Sequence, residues 1–278
     1  MPELPEVEVT RLGILPHLVG QKMSEVKVID GRLRWPVPSN LAKILPGQAV
    51  LGIQRRGKYL LLEVDTGYLL LHLGMTGTLR VLSNTEPLKL HDRVTFEFGK
   101  LSLRLHDPRK FGAVLWHPKS KGPIEQFPLL QKLGVEPFSP DFANELGADI
   151  LYRASRNRSV AVKQFLLAGQ AVVGVGNIYC SESLFEAGIH PAKAAGKLTR
   201  PQCSRLATAI KLILKKAIDA GGSSLKDFVN SDGDPGHFMV QSKVYDRKDQ
   251  ACKACKTLIK QIVQGQRSTY FCPQCQKR

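Results

Sequence analysis

Tyr59-Leu60-Leu61-Leu62-Glu63-Val64 and Tyr68-Leu69-Leu70-Leu71-His72-Leu73 are two apolar runs separated by Asp65-Thr66-Gly67. Short runs of this kind, bounded by turn residues, predict a β-hairpin. Further along, Val94, Phe96 and Phe98 alternate with polar residues, and so do Leu101, Leu103 and Leu105 across Gly99-Lys100, a Gly-X turn. Such alternation predicts antiparallel strands with one buried face, arranged as a sandwich or barrel. Ahead of them, Pro5 to Leu15 predicts a helix with proline near its start. The first domain is placed over residues 2–135, with the proline-rich, aperiodic stretch 115–145 as its linker.

Beyond that linker the period becomes helical. Leu206, Ile210, Ile213, Leu214 and Ala217 share one face of a helix, with Thr199 as N-cap and Pro201 in the first turn. Val162 to Leu167 and Ile178 to Ala187 predict two more helices, giving residues 136–242 a helix–turn–helix character. Gly174-Val175-Gly176 is not a dinucleotide fingerprint, because Tyr179 stands where the third glycine belongs and no βαβ context surrounds it. It suits a tight turn whose amides, at a helix N-terminus, can hold a phosphate. Asn177 there either caps the helix or donates to that phosphate.

Residues 243–278 carry Cys252-x2-Cys255, sixteen residues, and Cys272-x2-Cys275. Two such knuckles close a four-thiolate tetrahedron around one structural zinc, with no open position for catalysis. Gly265-Gln266, between apolar residues, predicts the turn of a β-hairpin connecting them. A short tail of low apolar content needs such a staple to fold.

Lys plus Arg number 40 against 24 Asp plus Glu, a formal charge of +16 in 278 residues, and the pI is about 9.7. The last segment, from Lys243, holds nine basic and two acidic residues. A hydrophobic content of 43% excludes an intrinsically disordered chain. The acidic start Met1-Pro2-Glu3-Leu4-Pro5-Glu6 is not expected to act as a secretory signal, and no run of about 18 apolar residues is present to span a membrane. The expectation is a cytoplasmic protein with a polyanionic partner.

Met1-Pro-Glu-Leu-Pro-Glu-Val-Glu8, Gly57-Lys58, His72-Leu-Gly-Met-Thr-Gly77, Asp107-Pro-Arg-Lys-Phe-Gly112, Val173-Gly-Val-Gly-Asn-Ile-Tyr179, Ala187-Gly-Ile-His-Pro191 and Gln266-Arg-Ser-Thr-Tyr-Phe-Cys-Pro-Gln-Cys275 run in order across the chain. Together they resemble the bacterial formamidopyrimidine-DNA glycosylases. The resemblance implies an α+β, two-domain fold. Its parts are an N-terminal antiparallel β-sandwich with an N-terminal helix, a helical domain with a helix–two-turn–helix motif, and a four-cysteine zinc-finger hairpin. It also implies a bifunctional DNA glycosylase and abasic-site lyase that removes 8-oxoguanine and formamidopyrimidines from duplex DNA. The alternatives are the sister class for oxidised pyrimidines and a non-catalytic, zinc-containing DNA-damage binder.

The resemblance assigns roles residue by residue. Once Met1 is removed, Pro2 presents a secondary α-amine that titrates far below lysine and attacks sugar C1′. On local sequence alone an N-terminal proline also serves simply to resist peptidases. Glu3 moves protons during ring opening and elimination, although a first-turn helix carboxylate is its bland reading. Lys58 is a proton donor or phosphate contact. Arg267 matches the arginine associated with the second elimination, where a guanidinium that keeps its proton works as an electrostatic clamp.

Met75, Arg109 and Phe111 match the wedge that fills the void left by a flipped nucleotide; out of context Met75 and Phe111 are ordinary core types. His91, Arg109, Arg158, Lys163 and Asn177 are candidate phosphate contacts. Gly222, Ser223 and Ser224 open a lesion-binding loop. The implied cofactor is one structural zinc ion held by Cys252, Cys255, Cys272 and Cys275, and the partner is damaged double-stranded DNA. No nucleotide cofactor is expected, and the chain is expected to act as a monomer. Leu166-Leu167-Ala168-Gly169 departs from the family's usual Leu-Leu-Asp-Gln. Part of the positive charge is expected to lie along a DNA track at Arg109, Lys110, Arg156, Arg158 and Lys163.

Overall fold

The computed structural model describes residues 2–223 and 238–277. The chain divides into two compact units, residues 1–131 with 218–239, and residues 132–217 with 240–278. Each is described by itself.

The first unit begins with α1 (Leu4–Leu18), four residues longer than the predicted span and running through Pro16. Then come β1 (Glu25–Val28), the short α2 (Leu41–Ile44), and β2 (Val50–Arg56) to β8: β3 (Tyr59–Val64), β4 (Gly67–His72), β5 (Thr78–Ser83), β6 (Asp92–Phe98), β7 (Leu101–His106) and β8 (Ala113–Pro118). They form two four-stranded antiparallel sheets, ordered β1-β6-β7-β5 and β2-β3-β4-β8. The two predicted hairpins are the β3–β4 and β6–β7 pairs, the second turning through Gly99 at φ +61°. Residues 115–118, assigned to the linker from sequence, belong to β8.

Leu60, Leu62, Leu69, Leu71, Val94, Phe96, Leu103 and Leu105 join α1's Val7, Ile14 and Leu18 in one core. Each fully buried aliphatic side chain there contributes roughly 1.5–3 kcal/mol. Two features depart from simple alternation. The leucine runs are covered on both faces, since Leu61 and Leu70 are buried as well. The polar residues of β6 and β7 are also inside: Thr95, Ser102 and Arg104 are at most 3% exposed. The stretch before β6 roofs them, and its Pro87 carbonyl accepts from Arg104 at 3.0 Å. On the other sheet, Glu8 of α1 accepts from Arg11 and from Arg55 of β2 at 2.7 and 2.8 Å, binding the helix to its strand. Burial alone would raise the Glu8 pKa; the two guanidinium groups bring it below the usual carboxylate value.

The second unit holds α3 (Asn144–Ser155), α4 (Val162–Leu167), α5 (Asn177–Glu186) and α6 (Arg200–Asp219), whose last two residues fall in the first unit. Thr199 caps α6 through a reciprocal pair with Gln202, at 3.3 and 3.1 Å. After α7 (Phe238–Gln241), β9 (Lys260–Gln264) and β10 (Arg267–Phe271) form the expected hairpin. Gly265 and Gln266 both have positive φ, 54° and 61°, as a type I′ turn requires.

Candidate active site

Leu4 and Pro5 start α1, and Glu3 is its N-cap in a capping box with Glu6. One oxygen of the Glu6 carboxylate accepts the Glu3 N–H at 2.7 Å. The other accepts the Ser223 N–H at 2.8 Å. Glu6 is fully buried, Glu3 and Ser223 are each 1% exposed, and Pro2 is buried. Two charge-assisted bonds are what keep an interior carboxylate tolerable. Their consequence is positional: the peptide joining Pro2 to Glu3 is held, and so is the segment through Gly221 and Gly222, whose φ values of 74° and 86° suit glycine. Ser224 and the rest of the sequence-assigned lesion loop lie outside the described residues. From sequence Glu6 reads as a structural carboxylate that orients the N-terminal segment or its amides, in line with its bond to the Glu3 N–H; its second bond, to Ser223, had no signal in the sequence.

Lys58 is half-buried at the turn before β3. Nearby His72, at the end of β4, has its pKa pushed down to about 4 by burial and then by the charges of Lys58 and Arg34. Its Nδ1 accepts from Gly74 N–H at 3.0 Å, so the neutral ring carries its proton on Nε2. The result is a cation and a neutral N–H donor side by side. The His72 motif was recognised in the sequence, but the tautomer is set by the backbone of a turn two residues on.

The wedge residues come from two loops that interlock. Gly74 sits at φ +63°, and a Cβ built there would lie 2.3 Å from the Phe111 carbonyl carbon, so the loops meet backbone to backbone. Asp107, fully buried, clamps both: it accepts from Thr76 Oγ1 at 3.1 Å and from Gly112 N–H at 2.7 Å. Met75 and Phe111 are left 36% and 43% exposed, and the Arg109 guanidinium lies 5.0 Å from the Phe111 ring centre. Both apolar side chains therefore project from loops instead of filling the core.

His91, at φ 80°, is held from below. Arg93 donates to His91 Nδ1 at 3.1 Å, to the Asp107 carbonyl at 2.8 Å and to Asp30 at 3.2 Å. Because arginine only donates, His91 Nδ1 is an acceptor and Nε2 bears the hydrogen of the neutral ring. Lys110, placed on the DNA track from sequence, is paired to Asp30 at 2.8 Å.

In the second unit, Gly176 is the N-cap of α5 and Asn177 its first residue, without a side-chain cap bond. Capping is thus not the role of Asn177. Its Nδ2 is 3.5 Å from the Tyr245 hydroxyl, and its buried Oδ1 has no partner among the described residues. Tyr245 was missed in the sequence, where nothing marked it. Arg158 is exposed, and Arg267 is exposed at the start of β10, directly after the hairpin turn.

Lys163 departs from expectation. It is fully buried, and its ammonium donates to Ser181 Oγ at 3.1 Å, Ser268 O at 3.0 Å and Thr269 Oγ1 at 2.8 Å. A side chain with no exposed surface braces the hairpin instead of gripping a phosphate. Arg156 is likewise engaged, stacked 4.0 Å from the Tyr152 ring centre and donating to Leu198 O at 2.7 Å.

The four cysteine sulfurs lie within 4.8 Å of one another, with Cys255 and Cys272 at 3.4 Å and Cys252 and Cys275 at 4.0 Å. Thiolates about 2.3 Å from one tetrahedral zinc stand about 3.8 Å apart, so the donor set fits that ion. The Cys275 N–H donates to Cys272 Sγ at 3.4 Å, and Gln276 supports the knuckle through Cys272 N and Ile189 O, both at 2.9 Å. Glu182 of α5 anchors the approach, accepting three successive backbone N–H groups, Lys243, Val244 and Tyr245, at 2.8–2.9 Å.

A β-sandwich with Pro2 and Glu3 at its first helix, a helical unit and a four-thiolate hairpin define a zinc-finger DNA glycosylase. Residues 1–114 match the formamidopyrimidine-DNA glycosylase N-terminal domain, 133–229 its H2TH domain, and 249–278 the zinc finger found in FPG and IleRS. The chain belongs to the formamidopyrimidine-DNA glycosylase family. It is 84% identical to the formamidopyrimidine-DNA glycosylase of Polynucleobacter necessarius, with both chains covered in full. A Lactococcus lactis FPG mutant in complex with Fapy-dG-containing DNA superposes with a TM-score of 0.90 at 34% identity, again over both full chains. MutM (FPG) from Thermus thermophilus gives 0.87 at 36% identity, covering 99% of this chain and 98% of that one. Among the described residues, no helix is long and apolar enough to cross a membrane.

Proposed function

We propose that this glycosylase excises 8-oxoguanine and formamidopyrimidines from duplex DNA and then cleaves the abasic strand, acting as a cytoplasmic monomer with no nucleotide cofactor. The Pro2 nitrogen attacks sugar C1′ as the base departs, forming a bond to carbon while the glycosidic bond breaks. The C1′–O4′ bond then breaks as O4′ takes a proton, and the iminium so formed draws electrons from C2′, whose proton is removed as the 3′ phosphate leaves. Glu3, beside Pro2, transfers the protons of ring opening and elimination. Lys58 and the His72 Nε2–H supply a cation and a donor for a phosphate near the lesion. Met75, Arg109 and Phe111 occupy the vacated stack. His91 Nε2–H, Arg158, Asn177 and the cationic Arg267 contact the backbone.

One observation carries this reading: the Glu6 carboxylate fixes the peptide behind Pro2 and the entry of the Gly222–Ser223 segment at the same point. Nucleophile and lesion-loop root are thereby positioned together. The zinc ion holds the knuckles that present Arg267 and takes no part in the chemistry.

A panel of duplexes carrying 8-oxoguanine, formamidopyrimidine or oxidised pyrimidines tests the assignment. Purine lesions are expected to be released fastest, with both sides of the sugar cut. Release of pyrimidine lesions alone would place the chain in the sister class.

A further inference from the structure

The polar outer face of the β5-β7-β6 sheet opens into a cleft of about 490 Å³, lined by Arg80, Lys89, Asp92, Arg104, His106 and Arg109 among others. Four of these six are fixed cations and one is a carboxylate. The carboxylate is already used: Asp92 lies 3.1 Å from His106 Nδ1 and 3.8 Å from Arg104.

Arg80 and Arg104 are direct cross-strand partners in the β5–β7 register. Like charges in that position repel. Arg104 spends its donors on Pro87 O and Ser102 Oγ at 3.0 and 3.3 Å. Arg80 has no such outlet, and its buried Nε has no hydrogen-bond partner among the described residues. A guanidinium N–H taken out of water without an acceptor, opposite a second arginine, is a costly arrangement that an oxyanion would relieve.

We propose that this cleft is a phosphodiester-binding site, in which Arg80 and Lys89 hold a backbone phosphate of the duplex beside the wedge. The shared chemistry is that of a phosphate oxyanion. DNA is the source because Arg109, at the cleft, also stacks on the exposed Phe111, so a strand wedged by Phe111 passes the cleft mouth. The proposal rests on the glycosylase reading above.

The test measures binding of a duplex containing a stable abasic analogue by fluorescence anisotropy across a salt series. It compares the full zinc-loaded chain with Arg80→Gln, Arg80→Lys, Lys89→Gln and, as a surface control on β1, Lys27→Gln. The slope of log affinity against log salt should fall by about 0.9 for each phosphate contact removed. Arg80→Gln and Lys89→Gln are expected to show that fall, and Arg80→Lys and Lys27→Gln to keep the parent slope. If Arg80→Gln fails to fold, Lys89→Gln, at an exposed position, decides alone.

Unchanged slopes in the glutamine variants would overturn the proposal. So would a second pattern, in which inorganic phosphate raises the melting temperature of the parent but not of Arg80→Gln while the DNA slopes stay equal; the cleft would then serve a free anion. Borohydride trapping of the parent on abasic DNA runs alongside. Trapping with unchanged slopes sinks only the cleft, whereas absent trapping sinks the glycosylase reading itself.

Discussion

Glu6 and Ser223, far apart in sequence, are joined by a 2.8 Å hydrogen bond from the Ser223 N–H to a carboxylate whose other oxygen holds Glu3. Replacing that carboxylate by an amide leaves one acceptor where two are needed and sets an NH2 against a buried N–H. Each charge-assisted bond is worth roughly 1.5–3 kcal/mol. Glu6→Gln is therefore expected to slow single-turnover base release by about 10- to 100-fold, with a lowered melting temperature. Wild-type rates in Glu6→Gln would show that the carboxylate does not position the nucleophile.

The Gly74 backbone meets Phe111 so closely that a methyl group has no room. Gly99 has nearly the same φ, +61°, but open space around its α-carbon. Gly99→Ala should cost only the left-handed backbone penalty, about 1–2 kcal/mol. Gly74→Ala should cost distinctly more and also displace the two loops that carry Met75 and Phe111. Urea denaturation of the two variants makes the comparison, and equal losses would contradict the interlocked loops.

His72 gives stability a pH dependence of defined sign. Its folded pKa, about 4, lies below the unfolded value of about 6.5. The unfolded chain therefore binds a proton that the folded chain refuses, and stability falls as pH drops from about 6.5 toward 4. Melting curves of the parent and His72→Asn across this window should differ in slope, with the variant flatter. Parallel curves would mean that His72 is not held neutral.

Metal analysis is expected to return one zinc per chain, and chelation to lower the melting temperature sharply. Structural zinc sites contribute on the order of several kcal/mol or more to small modules. Cys272→Ser should lose both the metal and most DNA affinity, because Arg267 stands on the hairpin that the metal secures. Full zinc content in Cys272→Ser would contradict the four-thiolate site.

The fold was legible wherever periodicity or turn chemistry is local. The β3–β4 and β6–β7 hairpins, the Thr199 cap and the Gly265-Gln266 turn each rest on a few adjacent residues. Elements whose character depends on distant packing were not legible. Helix α3 has only Gly147, Leu151 and Ser155 buried, too little pattern to announce it. Strand β8 was lost to the linker because prolines crowd the sequence that follows it.

The candidate site divides in the same way. Pro2, Glu3 and the cysteines are read from spacing. The burial of Lys163 is decided by serine and threonine partners on α5 and β10, which sequence distance conceals. The double duty of Glu6 needs Ser223, which only the folded chain brings near. Asn177 missed its capping role by one position, because glycine precedes it.

The central claim is that the Pro2 amine forms a covalent bond to the abasic sugar. Borohydride reduction during reaction with lesion-containing duplex tests it directly, with intact mass confirming that Met1 has been removed. A stable protein–DNA adduct, mapped to the N-terminal peptide and lost in Pro2→Gly or on acetylation of the N-terminus, is the predicted result. No adduct, under conditions in which the same DNA is bound and the terminus is free, would contradict it.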